Sequence, residues 1–192
     1  MRIVNNVTTL EQLAQDFTSL FERRVFRLET LDYYDAPNER EPYARFLAGE
    51  PVDPAWREPW KHLVRSVRES GRIMQRVHVV GEPVSDYVRF SLLHGYPASV
   101  EAGEDVRILN RAIAERLSLD LGLDGDFWLF DTVLMARLIY NDSGTASRVE
   151  LERDRGEVMW NTYVRDLALL YSIPLAQYVA EHNITNERTQ AA

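Results

Sequence analysis

The run Arg72-Ile-Met-Gln-Arg-Val-His-Val-Val-Gly81, then Glu82-Pro-Val-Ser-Asp-Tyr-Val-Arg-Phe90, then Ala102-Gly-Glu-Asp-Val-Arg-Ile-Leu-Asn-Arg111 decides the fold. In an extended chain Ile73, Val77 and Val79 share one face and Met74 and Val80 the other, which is the pattern of a buried strand. Gly81 breaks that strand, and Pro83 stands where a helix accepts proline, in its first turn. Val84, Tyr87, Val88 and Leu92 then repeat at helical spacing. Val106, Ile108 and Leu109 form a second apolar strand. Strand, turn, helix and strand in that order predict a βαβ unit with parallel neighbours.

Working outward, Thr8 and Glu11 read as a capping box ahead of the apolar stripe Leu10, Leu13, Phe17, Leu20 and Phe21. Arg24 to Tyr34 alternates as a strand, and Asp35-Ala-Pro-Asn is turn chemistry. Short helices are expected over Glu39 to Ala48, closed by Gly49, and from Pro59 to Gly71. On the far side Ala112 to Leu123 reads as a helix closed by Gly122. Asp126 to Asp131 and Val133 to Tyr140 read as strands, and Asn141-Asp-Ser-Gly144 as a hairpin turn into a strand over Ala146 to Glu152. Asp154 caps a long helix in which Trp160, Tyr163, Val164, Leu167, Ala168 and Tyr171 are expected to form a wide buried face. The expectation is a single α/β domain over residues 1–182, with a mixed, mostly parallel sheet of five or six strands, helices on its faces, and a flexible polar tail over 183–192. Val77, Val79, Ile108, Phe127, Leu129 and Leu167 are expected to be buried together.

Composition narrows the function classes. The chain of 192 residues carries a net charge of -8 and no cysteine. The acidic balance opposes direct binding to nucleic acid, which needs a clustered positive surface. Without cysteine there is no disulfide framework, thiolate zinc site or cysteine nucleophile. The opening residues lack the apolar core of a signal peptide, and no run approaches the roughly 20 apolar residues of a spanning helix, so a cytoplasmic protein is expected. None of the four histidines has a partner at metal-ligand spacing, so neither metal nor cofactor is expected, and His78 reads as a hydrogen-bonded core residue. Phosphate-binding glycine loops and nucleophile elbows are absent as motifs, and no catalytic residue is assigned.

Polar residues are dense near strand ends, where sheets with parallel strands gather ligands. Glu82, Asp86, Arg89, Arg107 and Asp131 are therefore expected to line one cleft for a small polar ligand, with Arg27 and Tyr87 near its wall.

Five segments carry a resemblance: Phe26-Arg-Leu-Glu29, Arg45-Phe-Leu-Ala-Gly-Glu-Pro51, Val77 to Arg89, Ala102-Gly-Glu-Asp-Val-Arg107 and Asp126-Phe-Trp-Leu-Phe-Asp131. In this order, over roughly residues 20 to 180, the chain resembles an uncharacterised bacterial family. Its members lie beside small helix-turn-helix regulators in antibiotic-producing bacteria. The Ser-Asp-Tyr-x-Arg and Phe-Trp-Leu-Phe-Asp pieces are also similar to half of a phospholipase-D-like sheet, but the His-x-Lys pair of that chemistry is missing. Ala112 to Leu123 is longer than in the family pattern.

The expectation is a non-catalytic ligand-sensing or interaction module acting with a DNA-binding regulator, without nucleic-acid or membrane contact of its own. Two alternatives stand beside it: a small enzyme of a natural-product pathway using an acidic and arginine-lined cleft, and a toxin-antitoxin-like protein-binding partner.

Overall fold

The computed structural model describes residues 6–117 and 125–185. Its strands are β1 (Asn6–Thr8), β2 (Arg24–Glu29), β3 (Ile73–Val80), β4 (Asp105–Asn110), β5 (Phe127–Phe130), β6 (Leu134–Tyr140), β7 (Ala146–Glu152) and β8 (Ile173–Pro174). They form one sheet of eight strands in the order β1-β7-β6-β5-β2-β3-β4-β8.

The fold is α/β with a mixed sheet, as expected, but the sheet is larger and mostly antiparallel. Only β2–β3 and β3–β4 pair in parallel, and the other five pairings are antiparallel. Connection length explains the difference. Parallel neighbours need a long crossover, and here helices supply it twice. The β5–β6 link spans three residues, and Asn141–Gly144 turns β6 into β7, so both joints must be antiparallel. The two strands missed in the sequence are the short edges β1 and β8. Pro174 is tolerated in β8 because an edge strand need not donate on its outer side.

Seven of the helices cross or cover this sheet as α1 (Leu10–Asp16), α2 (Arg40–Ala48), α3 (Glu58–Glu69), α4 (Asp86–Phe90), α5 (Tyr96–Ala102), α6 (Arg111–Arg116) and α7 (Arg155–Tyr171), and α8 (Leu175–Glu181) follows. The cap of α1 is Thr9, one residue past the expected Thr8, and its hydroxyl accepts from Gln12 N at 3.1 Å. Helix α4 begins after Ser85, whose Oγ accepts from Val88 N, two residues beyond the expected proline start. A π-turn over Ser91–Gly95 joins α4 to α5. Asp154 caps α7 as expected, accepting from Gly156 N and Glu157 N. Of the helix expected over Ala112 to Leu123, the first part is α6, and residues 118–124 lie outside the described residues.

Helices cover the sheet on both sides. On one side Val25, Met74, Trp128, Phe130 and Val149 pack under α1, α3 and α5. On the other, Phe26, Leu28, Val77, Val79, Leu109, Phe127 and Leu129 pack under α6 and α7. Val77, Val79, Phe127 and Leu129 are thus buried together, with Leu167 partly buried against them. Ile108 is not with them. In the β3–β4 register it pairs with His78 and joins a cluster with Leu175 and Tyr178, because successive strand residues point to opposite faces.

Candidate functional site

The parallel register of β2 on β3 sets Arg27 beside Arg76 and Glu29 beside His78. All four project to the α3/α5 side, where alternation continues the row Val25, Arg27, Glu29 against Met74, Arg76, His78. Arg27 is 3%, Arg76 7%, Glu29 8% and His78 0% exposed. Buried charge of this density requires pairing, and the pairing is extensive. Arg76 donates to Glu104 from Nε at 2.8 Å and from Nη1 to Glu29. Arg27 Nη2 donates to Asp126 at 2.7 Å and to Tyr140 Oη at 2.9 Å, while its Nε lies 3.5 Å from Glu29.

The anions are held as fully. Asp126, completely buried, accepts from Arg27, from the Thr30 amide and hydroxyl at 2.8 Å each, and from Tyr34 Oη at 2.5 Å. Glu104 also accepts from Trp60 Nε1 at 3.0 Å. Burial alone would raise the Glu29 pKa, but Arg76 and Arg27 outweigh it and hold the carboxyl well below its usual range. Burial likewise opposes the charge on Arg27, yet Tyr140, Asp126 and Glu29 leave it held above its ordinary value.

His78 is the core histidine that the sequence suggested. Its Nε2 lies 2.9 Å from the Leu31 carbonyl, so that nitrogen carries a proton. Its Nδ1 lies 2.8 Å from Tyr96 Oη, which donates to Glu29 at 2.7 Å. Burial pushes the His78 pKa down and favours the neutral ring. A neutral Tyr96 then has one proton for two acceptors, and Glu29 and Nδ1 share it.

Above this layer opens a cavity of about 360 Å³. Arg27, Glu29 and Arg76 form its floor, and Tyr34, Tyr87, Tyr96 and Tyr140 its aromatic wall. Glu39 and Arg57 stand at its side. Tyr87 Oη donates to Glu39, and Arg57 Nη2 donates to Ser99 Oγ at 2.7 Å. Burial raises the Glu39 pKa, against the smaller opposing effects of Tyr87 and Arg57. Burial beside Arg76 lowers that of Arg57. Two guanidinium nitrogens in this lining are buried without a hydrogen-bond partner, Arg27 Nη1 and Arg57 Nε. Ser91 lies in the lining, but its Oγ donates to the Tyr87 carbonyl at 3.1 Å. Among the described residues no group of three His, Asp or Glu side chains is placed to hold a metal ion.

A family model described as a domain of unknown function, DUF6879, matches residues 11–180 of the chain. The chain belongs to that family. No curated protein matches it. The crystal structure of Nuc, a phospholipase D family member from Salmonella typhimurium, is similar over 84% of this chain and 88% of that one, with a TM-score of 0.47 and 6% identity.

Of the seven residues expected to share a cleft in this DUF6879 chain, Arg27 and Tyr87 line the cavity. The other five lie outside that lining. Asp131 lies at the opposite end of the sheet from Glu82 and Asp86, because β5 runs antiparallel to β2 and so ends where β2 begins. There its carboxylate accepts from the Glu22, Arg23 and Arg24 amides at 2.8, 3.0 and 2.8 Å, and its φ is 50°. Glu82 is exposed and accepts from Asn110 Nδ2 at 2.9 Å. Asp86 is exposed in the first turn of α4, and Arg89 is buried over the Phe46 ring. Arg107 turns to the β8 edge, where it donates to the Ser172 hydroxyl and carbonyl.

The cavity residues missed in the sequence are Glu29, Tyr34, Glu39, Arg57, Arg76, Tyr96 and Tyr140. One signal was available for two of them. Glu29 and Arg76, with Arg27, are charged residues at alternate positions of neighbouring parallel strands that are otherwise rich in apolar residues.

Proposed function

We propose that this DUF6879 chain is a ligand-sensing module, without catalysis of its own, that acts with a DNA-binding regulator. The observation that carries the ligand half is the cavity: tyrosine-walled, and floored by buried arginines set on rigid central strands. Pockets for small molecules are mostly apolar with a few fixed polar groups, and those groups here cost too much to bury for packing alone. The regulator half draws on the resemblance to a family encoded beside helix-turn-helix proteins and on the net charge of -8, which leaves DNA contact to a partner. A cytoplasmic site of action follows from that reading. Native mass spectrometry of the purified chain against a pool of cellular metabolites tests the first half, and a retained small molecule that is released unchanged is the expected result. Turnover of the molecule would favour an enzyme instead. Failure of any ligand to alter the chain's association with a helix-turn-helix protein would remove the regulator half.

A second reading, a module that binds protein without any small ligand, draws on α7. Met159, Trp160, Tyr163, Leu170 and Tyr171 stand exposed along its outer arc, so Trp160, Tyr163 and Tyr171 lie outside the buried face expected of them, and the Trp160 and Tyr163 rings pack tilted with centroids 5.7 Å apart. Contiguous exposed apolar patches mark interaction surfaces. On this reading Trp160→Gln abolishes partner capture, and no metabolite is retained.

A further inference from the structure

We propose that the outer arc of α7 and the arginine-lined hollows beside it form a docking surface for an amphipathic helix of a partner protein, a helix with acidic residues at one end. This rests on the protein-partner readings above and names the chemistry of the partner.

The apolar half of the surface follows from helix geometry. Met159, Trp160, Tyr163, Leu170 and Tyr171 are each between 46% and 71% exposed. At about 100° per residue they fall within an arc of about 120°, and the stripe runs about 18 Å along the helix. Gly156 and Leu167 share the arc, and no charged residue of α7 does. The inner face of α7 is apolar as well, with Val158, Val164 and Ala168 buried against the sheet. A helix that is apolar all round is one that is covered all round, and the sheet covers only one side. A stripe of this length and curvature matches the flank of a second helix.

The other half is charge. Two surface hollows adjoin the stripe at Met159 and share Thr132. Met159, Val133, Arg153 and Arg155 line the first, and Ile73, Arg23, Arg24 and Arg165 the second. Against these five arginines the two linings hold two carboxylates, Glu22 and Asp131. Asp131 is already taken by three backbone amides, and Asp154, between Arg153 and Arg155 in the chain, is spent on capping α7. Of the five arginines only Arg165 is in an ion pair among the described residues, with Asp166 at 2.7 Å. A chain of net charge -8 thus gathers uncompensated positive charge in one place, where an apolar stripe ends. Carboxylates on an incoming helix complement that charge, steer its approach and fix its direction along α7.

A helix that lies on an anionic bilayer carries its basic residues along its polar face. Here they lie off one end of the stripe, in concave hollows that suit protruding side chains, which favours an acidic protein helix over a lipid surface. A DNA-binding partner can offer such a helix without covering the basic surface it needs for DNA.

The test uses the full chain and labelled helical peptides that share one leucine stripe and carry either glutamates or lysines in their first or their last turns. In anisotropy titrations one of the glutamate peptides is expected to bind with Kd below about 100 μM, and both lysine peptides at least about tenfold more weakly. Arg153→Glu combined with Arg155→Glu should weaken the glutamate peptide by about tenfold or more. In the unsubstituted protein, amide hydrogen exchange over residues 159–171 should slow on adding that peptide, a readout that holds even where the variant folds poorly. Equal or tighter binding of the lysine peptides, no glutamate peptide bound below about 100 μM, or no protection on α7 overturns the proposal. Flotation of the chain with phosphatidylserine vesicles, with no peptide bound, would make the surface a membrane face and overturn it too. If the peptides fail while the chain still associates with a helix-turn-helix protein, the partner reading stands and only this surface falls. If it associates with neither, both fall.

Discussion

Replacing Arg76 by methionine tests whether the buried ion network holds the centre of the sheet together. Arg76 contacts two carboxylates that are themselves almost fully enclosed: Glu104 at 2.8 Å, with a side chain 0% exposed, and Glu29, with a side chain 11% exposed. Methionine keeps the aliphatic bulk against Trp60 and Trp128, whose rings lie 5.6 and 5.8 Å from the guanidinium carbon. The change therefore removes charge with little loss of packing. Breaking a buried pair on one side costs about 3–5 kcal/mol, because it strands the other partner. For a domain of this size that corresponds to a fall of roughly 10 °C in Tm.

The pH dependence carries the sharper test. In the parent, Glu29 is held below its ordinary value near 4.5, so the folded chain binds fewer protons there than the unfolded chain. That contribution is fully present above pH about 4.5 and is lost as pH falls through the lower, folded value. In the variant, Glu29 stays buried without Arg76, and burial, opposed by less positive charge, raises its pKa. Folding of the variant then takes up protons, so its deficit is greatest near pH 7 and shrinks as pH falls toward 4. Urea unfolding followed by tryptophan fluorescence at both pH values measures this. A deficit under about 1 kcal/mol at pH 7, or one that widens in acid, would refute the reasoning.

Phe127→Ala should cost about 3–5 kcal/mol by denaturant unfolding, since the ring is buried against Phe26 with centroids 5.9 Å apart. Gly103→Ala should lower stability by about 1–3 kcal/mol, because its φ is 115° and a Cβ there would meet Arg68 Cδ at 2.5 Å. Removing the Asp131 carboxylate with alanine should cost about 1–2 kcal/mol, from the loss of three amide bonds at the start of β2, while leaving small-molecule binding intact. The isolated chain, at net charge -8, should show no sub-micromolar affinity for duplex DNA at about 0.15 M salt in an anisotropy titration.

Most of the fold was legible because its strands carry a strict period of two and its helices a strong apolar stripe. β3, β4, β5 and β7 sit within a residue or so of where alternation placed them. Neighbour relations were less legible. The β2–β5 pairing joins residues about a hundred positions apart, and nothing local in Phe127–Phe130 states that the strand runs against β2. That unread direction is what dispersed the expected site. A carboxylate at the end of β5 belongs with the carbonyl ends of β2 and β3 only if all three run the same way.

The buried charges, by contrast, had a signature that local reading undervalued. Charged residues at alternate strand positions ordinarily mean a face open to water. That reading fails for a parallel pair whose two faces are both covered by helices. β2 and β3 are the parallel pair, with α3 and α5 on one side and α6 and α7 on the other. Arg27, Glu29, Arg76 and His78 therefore had no solvated face to occupy. Once β2 and β3 are parallel, their charges must be paired in the interior. Such pairing is often no better for stability than a well-packed apolar core, so it needs another reason to be there. The cavity opens directly over three of them, Arg27, Glu29 and Arg76, and two of the tyrosines that wall it donate to Asp126 and Glu29. Held by β-ladder geometry and already desolvated, the arginines would meet the proposed ligand without reorganising. Replacing Arg27, Glu29, Arg76 and Glu104 with apolar residues of matching size, and their partner Asp126 with asparagine so that no buried charge is stranded, should therefore leave the fold at least as stable and remove the proposed small-molecule site. A fivefold variant that unfolds would instead make the network structural.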